Sequence, residues 1–249
     1  MSALAGVEVR HRVAGFLDRW VIAEGPLPES AQHDATVELL KAILVHFASR
    51  SAGQLAVYRN LAIRIDERRP NVGFDPDLCL VEPAPPDPEH VESLKLWQPG
   101  HLPPRLVVEV VSRRHPGKDY AEVPEKCAAL GVEELVVFDP QQVGPRVRGG
   151  PSLLQQWLRM DDGGFERTSS GPGPVRSIVL GGFWLATNSG TRLRLADDSA
   201  GGGLWPTGEE AERAAKEVAR TAEEAERLAK EAALAELAAL RAELGSRSR

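Results

Sequence analysis

A chain of 249 residues, 42% of them hydrophobic, can build one core of about 150–200 residues with an appendage beside it. Its formal net charge of −6 argues against a generally basic nucleic-acid-binding surface, and two cysteines, Cys79 and Cys127, are too few for a disulfide framework or a cysteine-built zinc site. Nothing approaches the roughly 18 consecutive apolar residues of a membrane span, and no basic segment followed by an apolar one opens the chain. The expectation is a cytoplasmic protein in which both cysteines serve as small buried apolar residues.

The charge is unevenly spread. Between Glu209 and Glu243 stand ten acidic residues against six basic ones, so this tail carries about four of the six excess negative charges and leaves the body near neutral. A local basic patch on the body is therefore permitted.

In chain order, residues 7 to 24 have a mixed pattern and end at a turn over Gly25-Pro-Leu-Pro28. Ser30 is placed to cap a helix from about Gln32 to Ser49, where Val37, Leu40, Lys41, Leu44 and Phe47 recur at helical spacing. Residues 54–58 and 61–65 read as short strands, and Asp77 to Val81 as the next. Seven prolines between Pro83 and Pro104 predict a surface loop, long enough for a lid or binding loop. Leu106-Val-Val-Glu-Val-Val111 is a buried strand with one charge in it. The basic connection Ser112-Arg-Arg-His-Pro-Gly-Lys118 leads to a short helix, which Pro124 places at its first position and Gly131 ends. Glu134 to Phe138 reads as a buried strand closed by the turn at Asp139-Pro140. Strand, helix, strand over this length suits a crossover to a parallel neighbour. Short strands and Gly-rich turns follow to Asp197, then a Gly/Pro linker at 198–208. Thr207-Gly-Glu-Glu210 matches a capping box for one long Ala-rich helix over 209–244, a candidate coiled coil with an imperfect seam.

Glu109 carries the chemistry. An ionised carboxylate inside an apolar strand costs several kcal/mol or more unless it meets a cation, a metal or a proton. Alternation puts Val107, Glu109 and Val111 on one face, and Asp77, Cys79 and Val81 on one face of the earlier strand. If those strands are neighbours, two carboxylates converge. Magnesium is often held by one or two carboxylates, with water and substrate phosphate completing its shell, an arrangement suited to phosphodiester hydrolysis. A lysine nearby would orient the water or stabilise developing charge; Lys126 is the first candidate and Lys118 the second. Arg113, Arg114, His115 and Lys118 are candidates for phosphate contacts, and equally suit a solvated basic loop.

Asp75-Pro-Asp77, Pro103-Pro-Arg-Leu-Val-Val-Glu109-Val-Val-Ser112, Lys118-Asp119 and Leu130-Gly-Val-Glu-Glu-Leu-Val-Val-Phe-Asp139-Pro140 together resemble the Uma-type putative restriction endonuclease domain, a branch of the PD-(D/E)XK nuclease superfamily. The resemblance runs from about Val9 to Asp197. It implies an α/β restriction-endonuclease-like core, a mixed sheet flanked by helices, with Asp77 and Glu109 as ligands of Mg2+, or of Mn2+. His33, at the start of the first long helix, also resembles a recurrent position of the family. Two departures stand out. Val111 replaces the superfamily's lysine two positions after the glutamate, and Val123 replaces the lysine this branch often carries. The leading expectation is a magnesium-dependent DNA endonuclease using Asp77, Glu109 and Lys126. The alternative is a catalytically impaired nuclease-fold protein that binds or assembles, as a homo-oligomer, through its C-terminal helix.

Overall fold

A computed structural model describes residues 20–21, 30–51, 53–146 and 151–247. The expectations for the segment 7–24 and the turn 25–28 fall outside the described residues, apart from Trp20 and Val21. The chain divides into two compact units, residues 1–207 and 208–249.

The centre of the first unit is a six-stranded mixed sheet. In spatial order its strands are β1 (Ala56–Arg59), β4 (Leu78–Val81), β6 (Leu106–Val110), β7 (Glu134–Phe138), β8 (Leu154–Arg159) and β9 (Phe165–Gly171). Only β6 and β7 run parallel, joined by a crossover through α2 (Val123–Leu130); every other pair is antiparallel. The central strands β4, β6 and β7 are buried along their whole length, because both sheet faces are covered.

One face packs against α1 (Ala31–Ser49), whose Val37, Leu40, Ile43 and Leu44 form a stripe onto Leu78, Leu80, Leu106, Val108 and Val136. The same core includes Trp184, Leu193 and Leu195 from a small antiparallel sheet of β10 (Val175–Arg176), β11 (Phe183–Thr187) and β12 (Arg192–Ala196). The other face places Cys79, Val81, Val107, Leu135 and Val137 against Val123, Cys127 and Leu130 of α2. It also meets Ile63, Phe74 and Leu94 from a third sheet, in which β2 (Ala62–Asp66) pairs antiparallel with β3 (Arg69–Phe74) and parallel with β5 (Ser93–Lys95).

That third sheet corrects the reading of the proline-rich stretch as surface loop throughout. Residues 93–95 form β5, and Leu94 and Leu96 are buried. The prolines at 83, 85, 86 and 88, and at 99, 103 and 104, flank the strand rather than interrupt it. Residues 198–206 also differ from a free linker: Leu204 bridges Ala196, Trp205 N donates to Leu195 O at 2.8 Å, and the Trp205 ring stacks on Phe47 at 4.8 Å.

The second unit is one helix, α3 (Gly208–Arg247). Val218, Leu228, Leu234, Leu237 and Leu240 are exposed on it, and i,i+3 and i,i+4 pairs such as Arg213–Glu209 and Arg227–Glu231 line it. No helix among the described residues is long and apolar enough to cross a membrane.

Candidate active site

The antiparallel pairing of β4 with β6 matches Leu78 to Val108 and Cys79 to Val107. Carried one residue further, this register sets Asp77 opposite Glu109, so the two acids meet where the ladder stops. The Asp77 carboxylate extends the ladder: its Oδ2 accepts from Val110 N at 2.7 Å, in place of a backbone carbonyl. The same oxygen lies 3.1 Å from His33 Nε2.

His33 reaches it from the first turn of α1. Ser30 fixes that turn by accepting from His33 N, as its N-cap assignment requires, and Arg59 at the end of β1 pairs with Asp34 and Glu38. His33 is thus a neighbour of the Asp77 carboxylate as well as a helix-start residue.

Glu109 is 0% exposed, and among the described residues neither of its carboxylate oxygens has a hydrogen-bond partner. Burial raises its carboxyl well above the ordinary range; the Lys118 ammonium opposes that rise, while the charges of Asp77, Asp119 and Asp75 add to it. Its charge also reaches the thiols on either side. Burial first, and Glu109 second, push Cys79 up to about 12 and Cys127 well above the usual thiol value. Both cysteines are buried and free, as their small number led one to expect.

The sequence offered two lysines, and the structure separates them. Lys118 Nζ lies 3.9 Å from Glu109 Oε2, an ion pair too long for a hydrogen bond. Glu109 above all, then Asp119, Asp77 and Asp75, raise the lysine pKa and hold its proton. Lys126 instead sits 5.9 Å from the ring centroids of both Trp20 and Phe74, and 3.8 Å from Glu122 one turn back. Burial lowers its pKa, with the carboxylates of Glu122 and Glu109 countering.

Lys118 owes its position to a wide turn that no hydrophobic pattern announces. Residues Lys118–Glu122 form a single π-turn in which Val123 N donates to Lys118 O. Tyr120 anchors this turn: its hydroxyl donates to Asp139 Oδ2 at 3.0 Å, and Asp139 also accepts from Val143 N and Gly144 N. Asp139 is the turn residue expected at Asp139-Pro140, and through Tyr120 it also fixes the approach of Lys118. Val111 and Val123, the positions that depart from the family's lysines, are both buried in the core.

Chemically the site is a carboxylate pair with one ammonium beside it. Among the described residues, no group of three or more His, Cys, Asp and Glu stands together as a metal cluster. Two carboxylates are nonetheless the complement with which Mg2+ is commonly held, and unsatisfied buried oxygens are the donors a hard cation takes. Arg113, Arg114 and His115 are exposed on the loop after β6.

A family profile described as "Uma2: Putative restriction endonuclease" matches residues 10–147, more than half of the chain. Among solved structures, the chain is similar to a putative nuclease belonging to DUF820 from Anabaena variabilis, at 11% identity and a TM-score of 0.44, over 64% of this chain and 78% of that one. Comparison with curated proteins finds no match.

Proposed function

Because the chain belongs to the Uma2 family of putative restriction endonucleases, we propose that Asp77 and Glu109 hold a divalent cation, Mg2+ or Mn2+, and that the protein hydrolyses DNA phosphodiester bonds. The observation that carries this reading is Glu109, an inward carboxylate with two oxygens that no donor among the described residues satisfies. Such a group is costly unless a cation completes it. When bound, the ion supplies Lewis-acid polarisation of the phosphate and lowers the pKa of an attacking water.

The chain's own residues then have separable tasks. Asp77 is oriented by Val110 N and His33, so its remaining lone pairs keep a fixed direction. Glu109 is fully buried on the sheet face that carries the apolar cluster of Cys79, Val107 and Cys127, which keeps bulk water away from it. Lys118 takes the role that the sequence assigned first to Lys126. Its proton is held by the surrounding carboxylates, so it acts as a fixed positive charge toward the developing phosphorane rather than as a base. Lys126 packs its ammonium between two aromatic rings and is a structural cation. Arg113, Arg114 and His115 face the DNA backbone.

Cleavage of single- and double-stranded DNA in Mg2+ or Mn2+ tests the proposal. Asp77→Ala and Glu109→Gln should each lower the rate by roughly 10³-fold or more, and both should abolish stabilisation of the fold by Mn2+. A wild-type protein that cuts no DNA and melts at the same temperature with and without Mn2+ would remove the enzyme reading.

The displacement of the lysines and the exposed apolar side chains of α3 favour a second reading, a catalytically impaired protein that assembles through this helix. In full-length protein, Leu234→Glu, Leu237→Glu and Leu240→Glu together should then reduce the mass seen by light scattering. An unchanged mass removes α3 as an oligomerisation element.

A further inference from the structure

Beside the carboxylate pair lies a cleft of about 400 Å³, bounded by the first turn of α1, the loop after β6 and the turn after β7. It communicates with the pair directly, since His33 and Val110 both line it and both bond to the Asp77 carboxylate. In a chain of net charge −6 its lining contains Arg113 and Arg114 and no carboxylate.

Three side chains from three separate elements form a strap across this cleft. Arg113 Nε donates to Gln141 Oε1, and Gln141 Nε2 donates to Gln32 Oε1 at 3.0 Å. The polarity of the strap follows from one end. A guanidinium can only donate, so Gln141 turns its oxygen toward Arg113 and its amide nitrogen toward Gln32, whose oxygen must accept. What the strap then presents to a ligand is N–H groups: the rest of the Arg113 guanidinium and the Gln32 amide nitrogen, with Arg114 beside them. A donor-rich surface bearing two positive charges is complementary to an oxyanion with several lone pairs, and a forked guanidinium matches the geometry of a phosphate.

We infer that this cleft is a second phosphate subsite, which holds the DNA backbone phosphate adjacent to the one being cut. Arg113 makes the principal contact. Gln141 and Gln32 are positioning residues that aim its guanidinium. The inference rests on the nuclease reading, for it places the strand that the Asp77–Glu109 pair would act on.

Its test is binding of fluorescein-labelled DNA by full-length Glu109→Gln protein, which should not cut, across a salt series. Arg113→Ala should weaken binding about tenfold and reduce the slope of log K against log salt by about 1, uniformly across sequences. Gln141→Ala should weaken binding less, with the slope unchanged, because the charge remains while its aim is lost. Arg113→Lys should restore the slope but not the full affinity. Arg113 is exposed, so these variants should melt as the parent does. An unchanged slope in Arg113→Ala while DNA still binds would overturn the subsite and leave the nuclease reading standing. So would binding of inorganic phosphate that depends on Arg113 while DNA binding does not. Failure of both wild type and Glu109→Gln to bind any DNA would overturn the subsite together with the reading beneath it.

Discussion

Glu109 and Glu134 are buried carboxylates on the neighbouring parallel strands β6 and β7, both 0% exposed, yet the protein treats them in opposite ways. Glu134 projects on the α1 side and is satisfied by five donors. Gln156 Nε2 and Trp184 Nε1 bond to Oε1, while Ser177 Oγ, Ile178 N and Val179 N bond to Oε2. Glu109 projects on the α2 side and, among the described residues, has a single ammonium at 3.9 Å. A carboxylate wrapped in donors is a structural rivet, here tying the central sheet to the loop between β10 and β11. One without donors among the described residues is what our proposal assigns to a cation. Burial by itself distinguishes nothing; the count of donors does.

The largest effect expected from this comparison is at the rivet. Glu134→Leu, close in volume, strands five donors around an apolar side chain and should destabilise the fold by about 4 kcal/mol. Urea denaturation reads it directly. A change below about 1 kcal/mol would mean that the donors find other partners, and that Glu134 is no more a rivet than Glu109.

The same substitution at Glu109 should have the opposite sign. In chelator, Glu109→Leu removes a buried charge that no donor satisfies and should stabilise by about 2 kcal/mol. The gain should depend on pH in a defined direction. The folded-state pKa of Glu109 is raised well above the ordinary carboxylate value by burial, so the wild type suffers no penalty below that ordinary value and loses stability as pH rises from there through the folded pKa. The advantage of Glu109→Leu is therefore small near the lower limit and widens toward neutral and mildly alkaline pH. Saturating Mn2+ should reverse the ranking by stabilising wild type alone. A Glu109→Leu protein less stable than wild type in chelator at every pH would show the carboxylate to be structurally satisfied.

Much of this geometry was legible in the chain. The apolar run with one acid in it located β6 and the alternation in 77–81 put Asp77 on the face of Cys79, while the pairing that joins the two acids, conditional in the sequence, came from the antiparallel register. Pro124 and Gly131 bracketed α2 for local reasons, φ at one end and an αL cap at the other. What could not be read depended on long-range company. Glu134 looked like any strand residue because its donors come from residues 156 to 184. The strap of Arg113, Gln141 and Gln32 joins residues up to 109 positions apart. Strand β3 was hidden by Pro70 and Gly73 within it, and β5 by the prolines around it. The proximity of Lys118 to Glu109 turned on a π-turn, which shifts the helical phase that a period of 3.6 would assign.

The smallest expected effect tests whether Lys118 belongs to Glu109 in the way the donors belong to Glu134. Its side chain is 33% exposed and its contact is an ion pair without a hydrogen bond, so solvent screening limits what the pair contributes. Lys118→Met in chelator should destabilise by less than about 1 kcal/mol, and the loss should vanish in the Glu109→Leu background, because the partner charge is gone. Lys126→Met should behave differently: its near contacts are Trp20, Phe74 and Glu122, and Glu109 acts on it only after burial and Glu122, so its effect should change less when Glu109 is replaced. A double-mutant cycle for each lysine measures this by denaturant melts, the larger coupling being expected for Lys118. Coupling confined to Lys126 would return the active-site role to that lysine, and would mean that the π-turn carries Lys118 near Glu109 without energetic consequence.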